Sequence, residues 1–553
     1  MRRIGKTTII KATFNNVKQI YVKKNILQIC AKNKDEESKE NIDFILDTLI
    51  QKSLVKIDNK GVLRMHNQLH DMDHKIVEAD EKYYANLISL TILEISKCSS
   101  LTSMPNKLEN LTSFTILNIS NFSILILLLN NVVSNLTSLT IFDIFWNSSL
   151  ILLPNELDNL ISLTTLHIFG CSSIISLPNK LSNLISLTRF DIFYYLSLIP
   201  LPNEQKNLTT LTTLDISWCS SLVLLPNKLS NLLSLTMFYI SHCLSLKLLP
   251  NELSNLTSLT IFNIFRCSNF TSLSNKFNNL TSLTIFNISY ITLLPNNLKN
   301  HISLIIFKIF NYSSLTSLPN ELGNLTSLTI LKISNYLSIT LLPNNLGNFL
   351  SLIILNISCL KLLPNELSNL TSFTILKIFN YSSLISLSNK IGNLISLTIL
   401  DIFEYSSLIS LPNELGNITS LTILKIYCCS RLTSLLNKLD NLISLIILKI
   451  LRCSNLTSLL NELSNFISLI TLKIFYYSSL ISLPNKLDNF ISFIKLNISH
   501  CLNLASLLNK LDNLTSLTTL NITKYYSLTL FPNELSNLTS LTILKIFWCK
   551  LKI

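Results

Sequence analysis

An α/β solenoid that coils once per repeat and lays down one short strand per coil is the fold class predicted by this 553-residue chain. Three observations predict it. Aligned on the asparagine of Asn-Leu-x-Ser-Leu, the chain shows 20 anchors, from Asn86, Asn110, Asn135 and Asn159 to Asn513 and Asn537, nearly always 24 residues apart. The step is 25 from Asn110 to Asn135 and 21 at Asn279 to Asn300 and Asn348 to Asn369. After each anchor the apolar residues alternate with the period of a strand buried on one face. All but one of the 14 prolines, Pro200 being the exception, stand before an asparagine at the same point of the repeat. A chain of this length exceeds one ordinary core, and a repeat that cannot bury its own leucines does so by stacking on its neighbours.

The elements follow in order along one unit, Asn393 to Gly416. Leu397, Leu400 and Ile402 are spaced three and then two apart, and Ile399-Leu400-Asp401-Ile402-Phe403 alternates as a strand. Tyr405, Leu408, Leu411-Pro412 and Leu415 then turn the chain back, the proline fixing φ where no ladder hydrogen bond is needed. Stacked units pair their strands as a parallel sheet at about 4.8 Å spacing. This spacing resembles the leucine-rich-repeat pattern L-x-x-L-x-L-x-x-N/C-x-x-L-x-x-L-P, and the resemblance covers residues 86–553. It implies a curved parallel sheet on the concave face, irregular or short helical turns on the convex face, and a hydrogen-bonding ladder at the position after the strand. Cys98, Cys171, Cys219, Cys243, Cys267, Cys429, Cys453, Cys501 and Cys549 hold that position, so they read as packing residues. Tyr312, Tyr381, Tyr405 and Tyr477 replace the small residue there, which leaves open a looser turn or an outward phenol.

The first 85 residues read differently. Ile4-Gly5-Lys6-Thr7-Thr8-Ile9 matches the second half of a phosphate-binding loop, whose first glycine would fall before Met1. Ile45 to Ile57, the polar turn Asp58-Asn59-Lys60-Gly61 and Val62 to His66 read as strand, turn, strand, with helical spacing following at Leu69, Met72 and Ile76. Together with the downstream array, these segments resemble the nucleotide-binding module of plant intracellular disease-resistance proteins. The resemblance makes residues 1–12 a remnant of the loop, with Gly5, Lys6, Thr7 and Thr8 as its cofactor-binding residues and ADP or ATP as the ligand. Residues 13–42 are a charged linker, and residues 43–85 a winged-helix-like remnant that caps the array. The family's Met-His-Asp motif reads Met65-His66-Asn67 here, and the middle of the module is missing, so no cofactor is expected to be held.

Composition narrows the function. Apolar residues make up 48% and charged residues 14%, with mean hydropathy +0.44, but the longest aliphatic stretch, Ile124 to Leu129, falls far short of a membrane span. The amino terminus has no apolar run of signal-peptide length, so a soluble chain in the cytoplasm is expected. Zinc spacing is lacking around Cys428-Cys429, and no metal site is expected. The net charge of +13 lacks the dense Lys/Arg clusters of a phosphate-tracking surface, which ranks nucleic acid below protein as a partner.

The outward middle position of each strand places Glu94, Asp143, His167, Asp191 and Asp215 towards one end of the array. Lys308, Lys332, Lys377, Lys425, Lys449, Lys473 and Lys545 stand towards the other. Beside them runs an aromatic column that includes Phe310, Phe379, Phe403, Tyr427 and Phe475. Aromatic anchors beside unpaired like charges have the make-up of an interface. The lysines with Phe310, Phe379 and Phe475 are the candidate partner-binding residues. The resemblance thus implies a non-catalytic recognition array, similar to the sensor region of disease-resistance receptors, that holds a protein on its concave face in defence signalling. A general cytoplasmic scaffold without an immune role is the alternative. After the last strand, at Cys549-Lys550-Leu551-Lys552-Ile553, the expectation is either an open sheet edge that invites self-association or a chain that has been cut.

Overall fold

Alternation within each repeat dictates the backbone, because a buried position on either side of an outward one is met only by an extended chain. A computed structural model of the chain describes residues 55–57 and 63–65 and most of 91–547; the longer stretches outside it are 97–112, 123–132, 195–207, 457–466, 478–491, 502–513 and 525–537. It falls into two units, Met1–Leu283 and Thr284–Ile553.

In the first unit, β1 (Val55–Ile57) and β2 (Leu63–Met65) pair antiparallel, Val55 opposite Met65, across the polar turn predicted at Asp58 to Gly61. The helix predicted after them, the loop residues Gly5, Lys6, Thr7 and Thr8, and the charged linker lie outside the described residues. β2 then lies parallel to β3 (Ile92–Ser96), Leu63 opposite Leu93. The repeats add β4 (Ile116–Ser120), β5 (Ile141–Phe145), β6 (Thr165–Phe169), β7 (Arg189–Phe193), β8 (Thr213–Ser217), β9 (Met237–Ser241) and β10 (Ile261–Phe265). Each of these pairs parallel with the next, without a register slip.

The second unit repeats the plan. It comprises β11 (Ile285–Ser289), β12 (Ile306–Phe310), β13 (Ile330–Ser334), β14 (Ile354–Ser358), β15 (Ile375–Phe379), β16 (Ile399–Phe403), β17 (Ile423–Tyr427), β18 (Ile447–Leu451), β19 (Thr471–Tyr477), β20 (Lys495–Cys501), β21 (Thr519–Thr523) and β22 (Ile543–Phe547). These too pair parallel in sequence order, so the two 21-residue steps are absorbed outside the strands.

One repeat shows what the stacking buries. Leu397, Leu400, Ile402, Tyr405, Leu408, Leu411 and Leu415 all lie in the core. Pro412, extended at φ −70° and ψ 140°, leads into a 3-10 turn at Asn413–Asn417, where the Leu415 amide donates to the Pro412 carbonyl at 3.0 Å. The preceding turn packs against this one so closely that a Cβ on Gly392 would come within 2.3 Å of the Glu414 carbonyl oxygen. At the mouth of many strands, threonine tightens the rungs: Thr398 Oγ1 donates to the Thr374 carbonyl at 3.1 Å and Thr422 Oγ1 to that of Thr398 at 3.0 Å.

The ladder position after the strand is resolved by its chemistry. Asn147 is buried and spans two repeats, its Nδ2 donating to the Ile119 carbonyl at 3.0 Å and its Oδ1 accepting from the Phe122 amide at 2.9 Å. Where cysteine stands there, the thiol makes the same reach more weakly, as from Cys243 to the Ile216 carbonyl at 3.2 Å. Burial pushes the Cys171 thiol up to about 12, so it stays protonated and inert. Tyr405 settles one of the open alternatives: its ring is buried in the core, and burial raises its hydroxyl well above the ordinary phenol.

Candidate recognition surface

The seven lysines singled out from sequence all occupy the middle of their strands, and the register brings them onto one column of the second unit. From β12 to β22 the column reads Lys308, Lys332, Asn356, Lys377, Asp401, Lys425, Lys449, Lys473, Asn497, Asn521, Lys545. Asp401 sits between two of them, with Lys425 at 3.1 Å and Lys377 at 3.7 Å. Burial, together with the charges of Lys308 and Lys377, lowers the pKa of Lys332; burial with Lys473 and Lys425 does the same at Lys449, where Asp401 opposes it. Beside the lysines stand half-buried rings. Phe379 meets Phe403 edge-on at 6.3 Å and 69°, and Phe403 meets Tyr427 at 5.7 Å and 70°. Phe310 and Phe475 hold the same position on β12 and β19.

On the first unit the corresponding column carries Glu94, Asp143, Asp191 and Asp215 against His167. His167 lies between two carboxylates, Nδ1 at 2.8 Å from Asp143 Oδ1 and Nε2 at 3.1 Å from Asp191 Oδ2. Hydrogen bonds to Asp143 and Asp191 raise its pKa to about 9, against the opposing effect of burial. Arg189 Nε reaches Asp191 at 2.7 Å. Asp215 on the next rung is raised to about 7, chiefly by burial and by Asp191, while Ser217, whose hydroxyl donates to it, and Arg189 pull the other way.

No protein-family model and no curated protein matches the chain. Among solved structures, a leucine-rich-repeat protein of Leptospira interrogans aligns with a TM-score of 0.51 at 22% identity, covering 69% of this chain and 87% of its own. The fold is the leucine-rich-repeat solenoid. An internalin from Listeria monocytogenes aligns at TM-score 0.40 and 20% identity over 69% of this chain and 94% of its own. A plant peptide hormone receptor solved in complex with RGF2 aligns at 0.41 and 20% over 90% and 83%.

Sequence reasoning missed a further column of this leucine-rich-repeat sheet, the residue just past the strand on β4 to β10. There the chain turns through positive φ while its amide still bonds the next rung, as Trp146 does to the Phe169 carbonyl at 2.6 Å. Asn121, Trp146, Tyr194, Trp218, His242 and Arg266 all take this conformation in the first unit. Their side chains stack: Tyr194 on Trp218 at 4.8 Å, Trp218 on His242 at 3.6 Å, and Arg266 Nη1 3.4 Å from His242 Nε2. Burial and Arg266 lower the His242 pKa, which suits a neutral ring that accepts from the guanidinium. Trp146 is 50% exposed and packs edge-on over Phe169 at 4.8 Å. The recurrence of aromatics one residue after the strand was the available signal. Among the described residues, no helix is long and apolar enough to cross a membrane.

Proposed function

We propose that the chain is a non-catalytic protein-recognition array, akin to the sensor region of plant intracellular disease-resistance receptors, that holds a protein partner on the open, concave side of its strands in defence signalling. The observation that carries it is the in-register lysine column beside a row of aromatic rings, set over a core that stacking has already sealed. Lysines on adjacent rungs repel one another, which a column serving only to solubilise the sheet has no need to tolerate. Rings beside uncompensated charge supply the anchors and the steering field of a protein interface. Cytoplasmic residence and the absence of a working nucleotide switch belong to the same proposal, since Lys6 and Thr7 stand in half a loop.

Photo-crosslinking tests it. A benzophenone amino acid replaces Phe310, Phe379 or Phe475 in the full chain, with Ile395 on the turn side as the control. In plant cell extract, protein adducts are expected from the strand positions and not from Ile395. Equal adducts from both faces, or none from the strands, would overturn the proposal. Titration calorimetry with ADP and ATP is expected to show no binding heat; micromolar binding would restore the nucleotide switch.

A further inference from the structure

The lysine column is not uniformly short of anions. Asp401 offsets part of the charge in the middle of it by pairing with both Lys377 and Lys425. On either side, Lys308 and Lys332 on β12 and β13, and Lys449 and Lys473 on β18 and β19, make no ion pair among the described residues. Two uncompensated cationic pairs therefore flank a partly compensated centre, and the rings of Phe379, Phe403 and Tyr427 line that centre. The midpoints of the pairs are six rungs apart in the register, roughly 29 Å at about 4.8 Å per rung. An extended peptide advances about 3.3 Å per residue, so about nine residues cover that span.

We infer that this column holds an extended acidic segment of the protein partner, running across the strands, with two carboxylate clusters about nine residues apart and apolar residues between them. This deepens the recognition reading above and rests on it. Charge complementarity fixes the sign of the ligand, and the aromatic wall fixes the character of its middle. Single-stranded nucleic acid fits less well. Bases need parallel ring faces, whereas the rings here meet at 69° and 70°, and the column holds no arginine to read phosphate in a fork.

The test uses the full chain and a fluorescein-labelled peptide with glutamate triplets at each end of a Ser/Leu spacer, their centres about nine residues apart. Its companions are an isomer with all the glutamates contiguous, a glutamine version, and oligouridylate. The spaced peptide is expected to bind roughly fivefold or more tightly than its isomer, because both clusters engage at once. The glutamine version is expected not to bind. Reversal at either pair, Lys308→Glu with Lys332→Glu or Lys449→Glu with Lys473→Glu, is expected to weaken binding by about tenfold, and the matching lysine-to-glutamine pairs by less. The glutamine pairs keep the test valid should the reversed chains fail to fold, as circular dichroism would show. Equal affinity for the isomer, tighter binding of oligouridylate, or indifference to both pairs of substitutions would overturn the inference. If crosslinking from the strand face still yields a protein while the acidic peptide does not bind, the inference fails alone. If the crosslinks are missing as well, the recognition reading fails with it.

Discussion

Gly170 turns through φ +69° at the end of β6, as Trp146, Tyr194 and Trp218 do at the ends of β5, β7 and β8 with φ between 53° and 62°. Its neighbours tolerate that conformation with full side chains, so the backbone alone does not demand glycine. The ring of Trp146 does, since a Cβ at Gly170 would lie 2.4 Å from Trp146 Cε3. Gly170→Ala is therefore expected to destabilise the chain by about 1–3 kcal/mol, as overpacking does, and to lower the melting temperature. In a Trp146→Ala background the same change is expected to cost less, and a double-mutant cycle measures the difference. Titration supplies a second expectation at this scale. The folded Asp215 carboxyl holds its proton to about 7 against 3.8 when unfolded, so stability falls as pH rises through that interval. His167 is stabilised as a cation by Asp143 and Asp191; its contribution is complete below 6.5 and is lost as pH rises through about 9. Melting temperatures should decline from pH 5 to 9, with Asp215→Asn flattening the lower part of the decline and His167→Gln the upper. Neither pairing was legible in the sequence. The column could be read, but how far each carboxyl is buried and which rung it leans towards depend on rotamers that the repeat pattern leaves free.

Each strand, by contrast, could be read almost residue by residue, because a slip of one position would turn Leu400 and Ile402 outward and Asp401 inward. The structure buries Leu400 and Ile402 and leaves Ile399 half-buried on the open face. Leu400→Ala is accordingly expected to cost about 2–5 kcal/mol, and Ile399→Ala under about 1 kcal/mol, in thermal or denaturant unfolding. Comparable losses at the two sites would mean that the strand does not present one sealed face. Turns were harder to read. Pro412 marked the reversal, yet the 3-10 geometry of Asn413–Asn417 arises from packing against the preceding turn at Gly392, a contact made only after stacking. Tyr405 was undecidable from pattern alone because a phenol suits a core or a surface; the room left inside its own repeat decides the matter. On β22, which pairs with β21, the alternation disappears, and Ile543, Leu544 and Phe547 are all exposed.

At the scale of the whole chain, the division of charge is legible in the order of the residues, and the division into Met1–Leu283 and Thr284–Ile553 falls where it changes. The acids Glu94, Asp143, Asp191 and Asp215 belong to the first unit and the seven lysines to the second, so the two units offer different chemistry to a partner. The stacked rings beside the acids stand one residue beyond the strand, where no alternation leads, so only their recurrence from repeat to repeat pointed to them. All of this depends on parallel strands in register, one per repeat, and residue-resolved amide hydrogen exchange tests that arrangement most directly. Slow exchange should recur in brief bursts once per repeat. It should include the amides of Thr398 and Ile399, which share the Thr374 carbonyl at 2.8 and 3.0 Å, and of Glu404, which reaches the Tyr427 carbonyl at 2.9 Å. Protection spread evenly along the repeat, or confined to long unbroken blocks, would contradict the stacked sheet and the recognition face built on it.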